Sequence, residues 1–319
     1  MALWTDRAGR FSPLKFITLL IAVAPGLWVA FAWATDDLGA KPLTEALHQM
    51  GEWAIRFLIA TLAITPARKV LNWPKLILIR RMLGVTTMTY ALIHVSLYIV
   101  QQHLDLFFVA SEIVLRFYLT IGFIALLGLI ALGWTSTDGW VKRLGKRWTT
   151  LHKAVYIIAT LGLFHYALQL KIDVTKAVLL TGLFVWLMGY RLIDRRRWPI
   201  NFVSLASLSV VAALATAGVE ALWYAIGTGI SALSVLSTNL SLPVDLAATA
   251  MQALGIGANG SDDAAAGFDF GLDMRPAWWV LVAGLLATLL FLGCRWIAKR
   301  RGEPVRGRGR VRAAVADRA

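Results

Sequence analysis

The sequence predicts an all-α protein, a polytopic transmembrane helix bundle of about eight spans. Three observations lead there. Of 319 residues, 58% are hydrophobic, and the mean hydropathy is +0.67, whereas soluble domains carry about 45–50% apolar residues. Only 16% of residues are charged, and those charges are clumped. Between the clumps lie apolar runs long enough to cross a bilayer, which takes about 20 helical residues.

The spans are expected near 14–34, 47–66, 78–100, 113–133, 149–170, 177–193, 202–226 and 277–298. The first follows a basic N-terminus as a signal peptide would. It is too long for a usual signal core and is interrupted by Pro25-Gly26, so it reads as an uncleaved span. The second is the most polar, with Glu52 and Arg56 four residues apart on one helix face and therefore able to pair. Residues 227–275 form the longest connection. Its LPVDLAATAMQALGIG stretch reads as an interfacial helix, and the Gly/Asp-rich part after it as a mobile loop. The basic, Gly-containing tail reads as disordered and able to touch anionic lipid. No internal repeat is visible.

Charge sets the orientation. The N-terminal tail, the segments 67–81, 134–148 and 191–197, and the tail from Arg295 together hold 25 Lys and Arg. The alternate connections hold four. Basic residues accumulate in cytoplasmic loops, so both termini are expected in the cytoplasm. The same rule accounts for the net charge of +14 without nucleic acid. With Cys294 as the single cysteine, the chain has neither an internal disulfide nor a many-thiolate metal site.

Of five histidines, His48 and His103 fall in outer connections, while His94, His152 and His165 fall in spans three and five. Ionisable side chains inside a membrane are functional candidates. His94 stands thirteen residues beyond Arg81, about 20 Å along its helix, and His165 seventeen beyond Trp148, about 25 Å. Both spans run outward, so both imidazoles belong at similar depth in the outer half. One histidine from each of two helices is how a bundle holds a haem iron axially. His152 belongs near the inner edge on another face of its helix, too far from His165 to share a metal. Gly162 and Ala167 read as room for a flat macrocycle beside His165.

TLAITPARK (61–69), RRMLGVTTMTYALIHVSLY (80–98) and WTSTDGWVKRLGKRWTTLHKAVYIIATLGLFHYAL (134–168) resemble the haem-binding membrane subunit of the bacterial periplasmic methionine sulfoxide reductase system, the MsrQ/YedZ family. Its wider relatives are the ferric-reductase-like transmembrane proteins. The resemblance covers roughly residues 10–195, spans one to six. It implies a six-span ferric-reductase-like core followed by two extra C-terminal spans: a haem-binding core over 1–198, two spans with a long periplasmic loop over 199–298, and a basic cytoplasmic tail over 299–319. It also implies b-type haem, with flavin mononucleotide as a second candidate cofactor, and a location in the bacterial inner membrane. Matched motif by motif, His94 and His165 fall on the outer haem pair and His152 on the family's third histidine. The position fourteen residues before His94 is Arg80 where two-haem relatives carry histidine, which leaves a second haem open. Arg80 and Arg81 are candidates for an anionic group, either haem propionates or a flavin phosphate.

The function expected on this resemblance is that of an electron-transfer subunit of an oxidoreductase complex rather than its catalytic subunit. Electrons would pass from the quinone pool or a cytosolic flavin reductase to a periplasmic molybdopterin-containing reductase of oxidised methionine in proteins. The sequence shows no Walker loop and no dinucleotide fingerprint. Two rival readings stand beside this one: a transmembrane ferric or cupric reductase, and a proton-coupled transporter without haem.

Overall fold

The computed structural model describes residues 4–5, 9–170, 173–241 and 274–301. The stretches read as an interfacial helix with its Gly/Asp-rich loop (242–273) and as the basic tail (302–319) lie outside the described residues. Among the described residues the secondary structure is helical: α1 Pro13–Ala34, α2 Pro42–Val70, α3 Ile77–Gln101, α4 Leu106–Leu115, α5 Phe117–Trp134, α6 Asp138–Leu144, α7 Lys146–Leu151, α8 Val155–Gln169, α9 Thr175–Arg195, α10 Phe202–Gly227, α11 Ala232–Leu240 and α12 Pro276–Arg300. Seven helical stretches among the described residues are long and apolar enough to span a membrane. The chain is a multi-span membrane protein.

The helix that misses that criterion is α2, the span flagged by Glu52 and Arg56. Its buried residues run from Ala46 to Val70. A helix enclosed by other helices does not need an apolar surface for lipid, so polar residues are tolerated where partners satisfy them. Span four also differs from expectation. The chain is extended at Arg116 (φ −103°, ψ 107°), which separates α4 from α5. The Asp105 carboxylate caps α4 by accepting from the Phe108 N–H at 2.9 Å, and Arg116 pairs with Glu112 one turn back. Span five begins as α7 and passes through a short 3₁₀ turn, His152–Ala154, before α8.

Two compact units emerge, residues 1–172 with 290–319, and residues 173–289. In the first, α2 packs along α3 and α5 along α8, and these two hairpins meet through α2 with α8 and α3 with α5. Helix α1 lies against α3 and α2. Pro25 interrupts α1, and the Tyr90 hydroxyl enters the gap: it accepts from the Gly26 N–H and donates to the Ala22 carbonyl, both at 2.8 Å. A side chain has taken the place of one rung of the helical ladder.

In the second unit α9 packs along α10, and α10 along α11. Gly182 faces Thr216 and Val280, and Gly284 faces Ser209 and Trp186, so small residues let the helices approach. The Trp186 indole donates to the Ser209 hydroxyl at 3.1 Å. Glu220 is fully buried and reaches Arg275 at 3.4 Å.

Candidate functional site

Helices α3 and α8 each bring one histidine into the four-helix core of the first unit. The ring centres of His94 and His165 are 6.4 Å apart, with the planes at 78°. His94 Nδ1 lies 2.8 Å from the Leu47 carbonyl of α2, and His165 Nδ1 lies 2.8 Å from the Tyr118 carbonyl of α5. A carbonyl only accepts, so Nδ1 carries the proton in both rings and donates it. The lone pair is then on Nε2.

The local sequence explains how a ring reaches a carbonyl inside a helix. A helical C=O points along the axis toward the residue four positions on. Four beyond Leu47 stands Gly51, and four beyond Tyr118 stands Gly122. A Cβ at Gly51 would lie 3.0 Å from Nδ1 of His94, and one at Gly122 would lie 2.7 Å from Nδ1 of His165. Each imidazole therefore lies in the space of a missing side chain and bonds the carbonyl that this space uncovers.

The two seats share one register. In each, the histidine follows the accepting residue by 47 positions. Leu47, Gly51 and His94 map onto Tyr118, Gly122 and His165 by a shift of 71 residues. The α2–α3 hairpin and the α5–α8 hairpin thus seat their histidines in the same register. The same shift carries Arg81 onto His152.

The pair has a definite chemical capacity. An imidazole nitrogen lies about 2.0–2.1 Å from a bound transition metal and about 1.1 Å from its ring centre, so two imidazoles on opposite sides of one ion have centres about 6.3 Å apart. The 6.4 Å separation here fits that requirement. Among the described residues no group of three or more His, Cys, Asp or Glu converges to hold a metal. Two neutral imidazoles with no third described ligand beside them could hold a metal whose remaining ligands come with a bound cofactor.

The other expected site residues are distributed differently. His152 stacks on Trp148 with ring centres 3.9 Å apart, and its Nε2 lies 3.2 Å from the Thr135 hydroxyl. The Trp148 indole donates to the Thr135 carbonyl at 2.9 Å, closing a small cluster. Arg80 lies within electrostatic range of His152. Arg81 pairs instead with Asp138 at 2.6 Å. Adjacent helical residues diverge by about 100°, so the two arginines serve different surroundings. Gly162, read as space for a macrocycle, faces Ile55 of α2, where an added Cβ would meet Cδ1 at 3.1 Å. Its smallness lets α8 approach α2.

A further tie was not visible from the sequence. Glu52, next to Gly51, accepts from Arg56 at 2.7 Å and from the hydroxyl of Tyr166, next to His165, at 2.9 Å. This bond holds α2 to α8 beside both rings. The signal that leads to the seats is the doubled spacing, a glycine four residues after a position that precedes a histidine by 47.

Residues 50–163 match the family model described as ferric reductase like transmembrane component. The chain is 39% identical to a protein of Rhodospirillum rubrum over 196 residues, 60% of this chain and 92% of that one. It is 37% identical to one of Caulobacter vibrioides over 183 residues (56% and 86%), and 38% identical to one of Agrobacterium fabrum over 186 residues (58% and 86%). All three are named protein-methionine-sulfoxide reductase heme-binding subunit MsrQ. The chain belongs to the MsrQ family. No solved structure matches it. The family match spans α2 to α8, the two hairpins that carry the seats. As an MsrQ-family member the chain is long, since over a third of it has no counterpart in these relatives.

Proposed function

We propose that this chain holds one b-type haem between His94 and His165 and passes electrons through it to a methionine sulfoxide reductase. The observation that carries the reading is the pair of seats, with rings 6.4 Å apart and both Nδ1 atoms committed to backbone carbonyls. Such a bond fixes the tautomer, aims Nε2 at a metal and raises the basicity of the ligand. When bound, haem supplies reversible one-electron chemistry. The chain's own residues supply the rest. Gly51 and Gly122 set the depth of the rings, the Glu52–Tyr166 bond keeps α2 and α8 in register, and the apolar helices exclude water.

One haem is proposed rather than two. The shift that pairs His94 with His165 pairs Arg81 with His152, and Arg81 is turned to Asp138. Arg80, on the His152 side and about 21 Å along α3 from His94, is out of reach of this haem and is the cation proposed for a flavin phosphate. The charge distribution supports a bacterial inner-membrane location with both termini cytoplasmic. His94 and His165 then lie toward the periplasm, where a molybdopterin-containing partner would take electrons drawn from the quinone pool or a cytosolic flavin reductase. Residues 1–198 are read as the haem-binding core.

Delivery is tested by mixing the dithionite-reduced, desalted protein with the periplasmic reductase and free methionine sulfoxide. Reoxidation that requires both additions is expected. Reoxidation by ferric chelate alone, with none by the reductase, would replace this reading with that of a metal reductase.

A further inference from the structure

A groove of about 1090 Å³ runs between α1 and α3, with Ala46 and Met50 of α2 at its outer end. It extends from Lys15 to Trp33 along α1 and from Ile77 to Leu97 along α3. At 1.5 Å per residue this is about 27–30 Å, the thickness of a bilayer core. Its walls are mainly apolar, and its charged residues gather at one end: Lys15, Arg81 and Asp138. Asp138 neutralises Arg81 on one side. The Lys15 ammonium gives one hydrogen bond to the Thr5 carbonyl at 2.8 Å, and an ammonium has three to give. Among the described lining residues this end is therefore net positive by one charge, and Lys15 retains donors. Part-way along, the Tyr90 hydroxyl fills the break in α1 at Gly26. From Lys15 to Gly26 is eleven residues, about 16 Å, close to half the apolar thickness of the membrane.

We propose that the inner half of this groove is a site for one anionic phospholipid, its phosphate at Lys15 and Arg81 and one acyl chain lying between α1 and α3 as far as Tyr90. Basic pockets between helices on the cytoplasmic side take acidic head groups. A neutral redox ring would leave the cations without a counter-charge, and a zwitterionic lipid would bring its own cation to compete with them. The assignment of this end to the inner leaflet rests on the orientation proposed above, whereas the site itself does not.

The test uses the full-length protein with its haem, delipidated in detergent and titrated with phosphatidylglycerol or phosphatidylcholine, with bound lipid counted by native mass spectrometry. One phosphatidylglycerol per chain is expected, held at least tenfold more tightly than phosphatidylcholine. Lys15→Glu is expected to remove that preference. Val23→Trp, which fills the inner half, is expected to abolish binding, while Leu127→Trp on a lipid-facing surface of α5 leaves it unchanged. Equal binding of the two lipids, indifference to Lys15→Glu, or a flavin nucleotide or quinone recovered from the groove in place of lipid would overturn the proposal. The haem band, read in the same samples, separates the two ideas. Equal binding of the two lipids by the wild-type protein with the band intact condemns the lipid site alone, and a missing wild-type band with the preference intact condemns the haem reading alone.

Discussion

Gly122→Ala is the substitution that most sharply probes the ring seats. The added Cβ would lie 2.7 Å from both Nδ1 and Cε1 of His165. Ordinary contact begins at 3.4 Å, so the ring must retreat by about 0.7 Å, against about 0.4 Å for Gly51→Ala at His94. Retreat stretches the 2.8 Å bond to Tyr118 and shifts Nε2 by a comparable amount. Overpacking of this kind costs about 1–3 kcal/mol, which corresponds to about 5- to 150-fold weaker haem retention. Alanine is a better helix former than glycine, so α5 itself is not weakened and lost haem cannot be blamed on a lost helix. The assay is transfer of haem to an excess of a scavenging apoprotein, followed at the Soret band. Gly122→Ala is expected to lose haem fastest, Gly51→Ala at an intermediate rate and wild type slowest. Wild-type retention in Gly122→Ala, or a larger effect at Gly51, would refute the reasoning.

Other consequences follow from single contacts. Tyr90→Phe removes the hydroxyl that replaces a rung of α1, and a loss of about 1–2 kcal/mol is expected as a lower melting temperature; an unchanged melt would mean that Ala22 and Gly26 bond each other directly. Arg275→Ala leaves the fully buried Glu220 without its cation, a change that costs about 3–5 kcal/mol when a buried pair is broken; the lower end is expected because Arg275 is 43% exposed. Adding Glu220→Gln should restore most of the melting temperature, and no recovery would contradict the pairing. Asp173, before α9, is held below the ordinary carboxylate value chiefly by hydrogen bonds from Thr175. A depressed value stabilises the fold above the unfolded value of about 3.8 and loses that stabilisation as pH falls through the folded one. Asp173→Asn should therefore flatten the acid limb of the melting profile below about pH 4, and identical limbs would exclude the effect.

Much of this was legible in the sequence because lipid imposes simple rules. Length, apolarity and the sides taken by Lys and Arg located the spans and set His94 and His165 at one depth, and their rings do meet. The seats were not legible. A carbonyl is the same chemical group on Leu47 and Tyr118, so the acceptors leave no trace in side-chain type, and the matched glycines reveal their purpose only when the partner helix is present. Gly162 is a further case, as its neighbour is Ile55 of α2. The break at Arg116 and the Tyr90 bridge were hidden too, the first because an apolar run does not show where its backbone extends, the second because its partners are backbone atoms more than sixty residues away.

The most direct measurement is the optical spectrum of the purified protein, oxidised and dithionite-reduced, with a haem count per chain, for wild type and for His94→Ala, His165→Ala and His152→Ala. The account predicts one b-type haem in wild type, its low-spin bands lost in the first two variants and kept in the third. Wild-type bands in His94→Ala or His165→Ala, or a folded wild-type protein without haem, would contradict it.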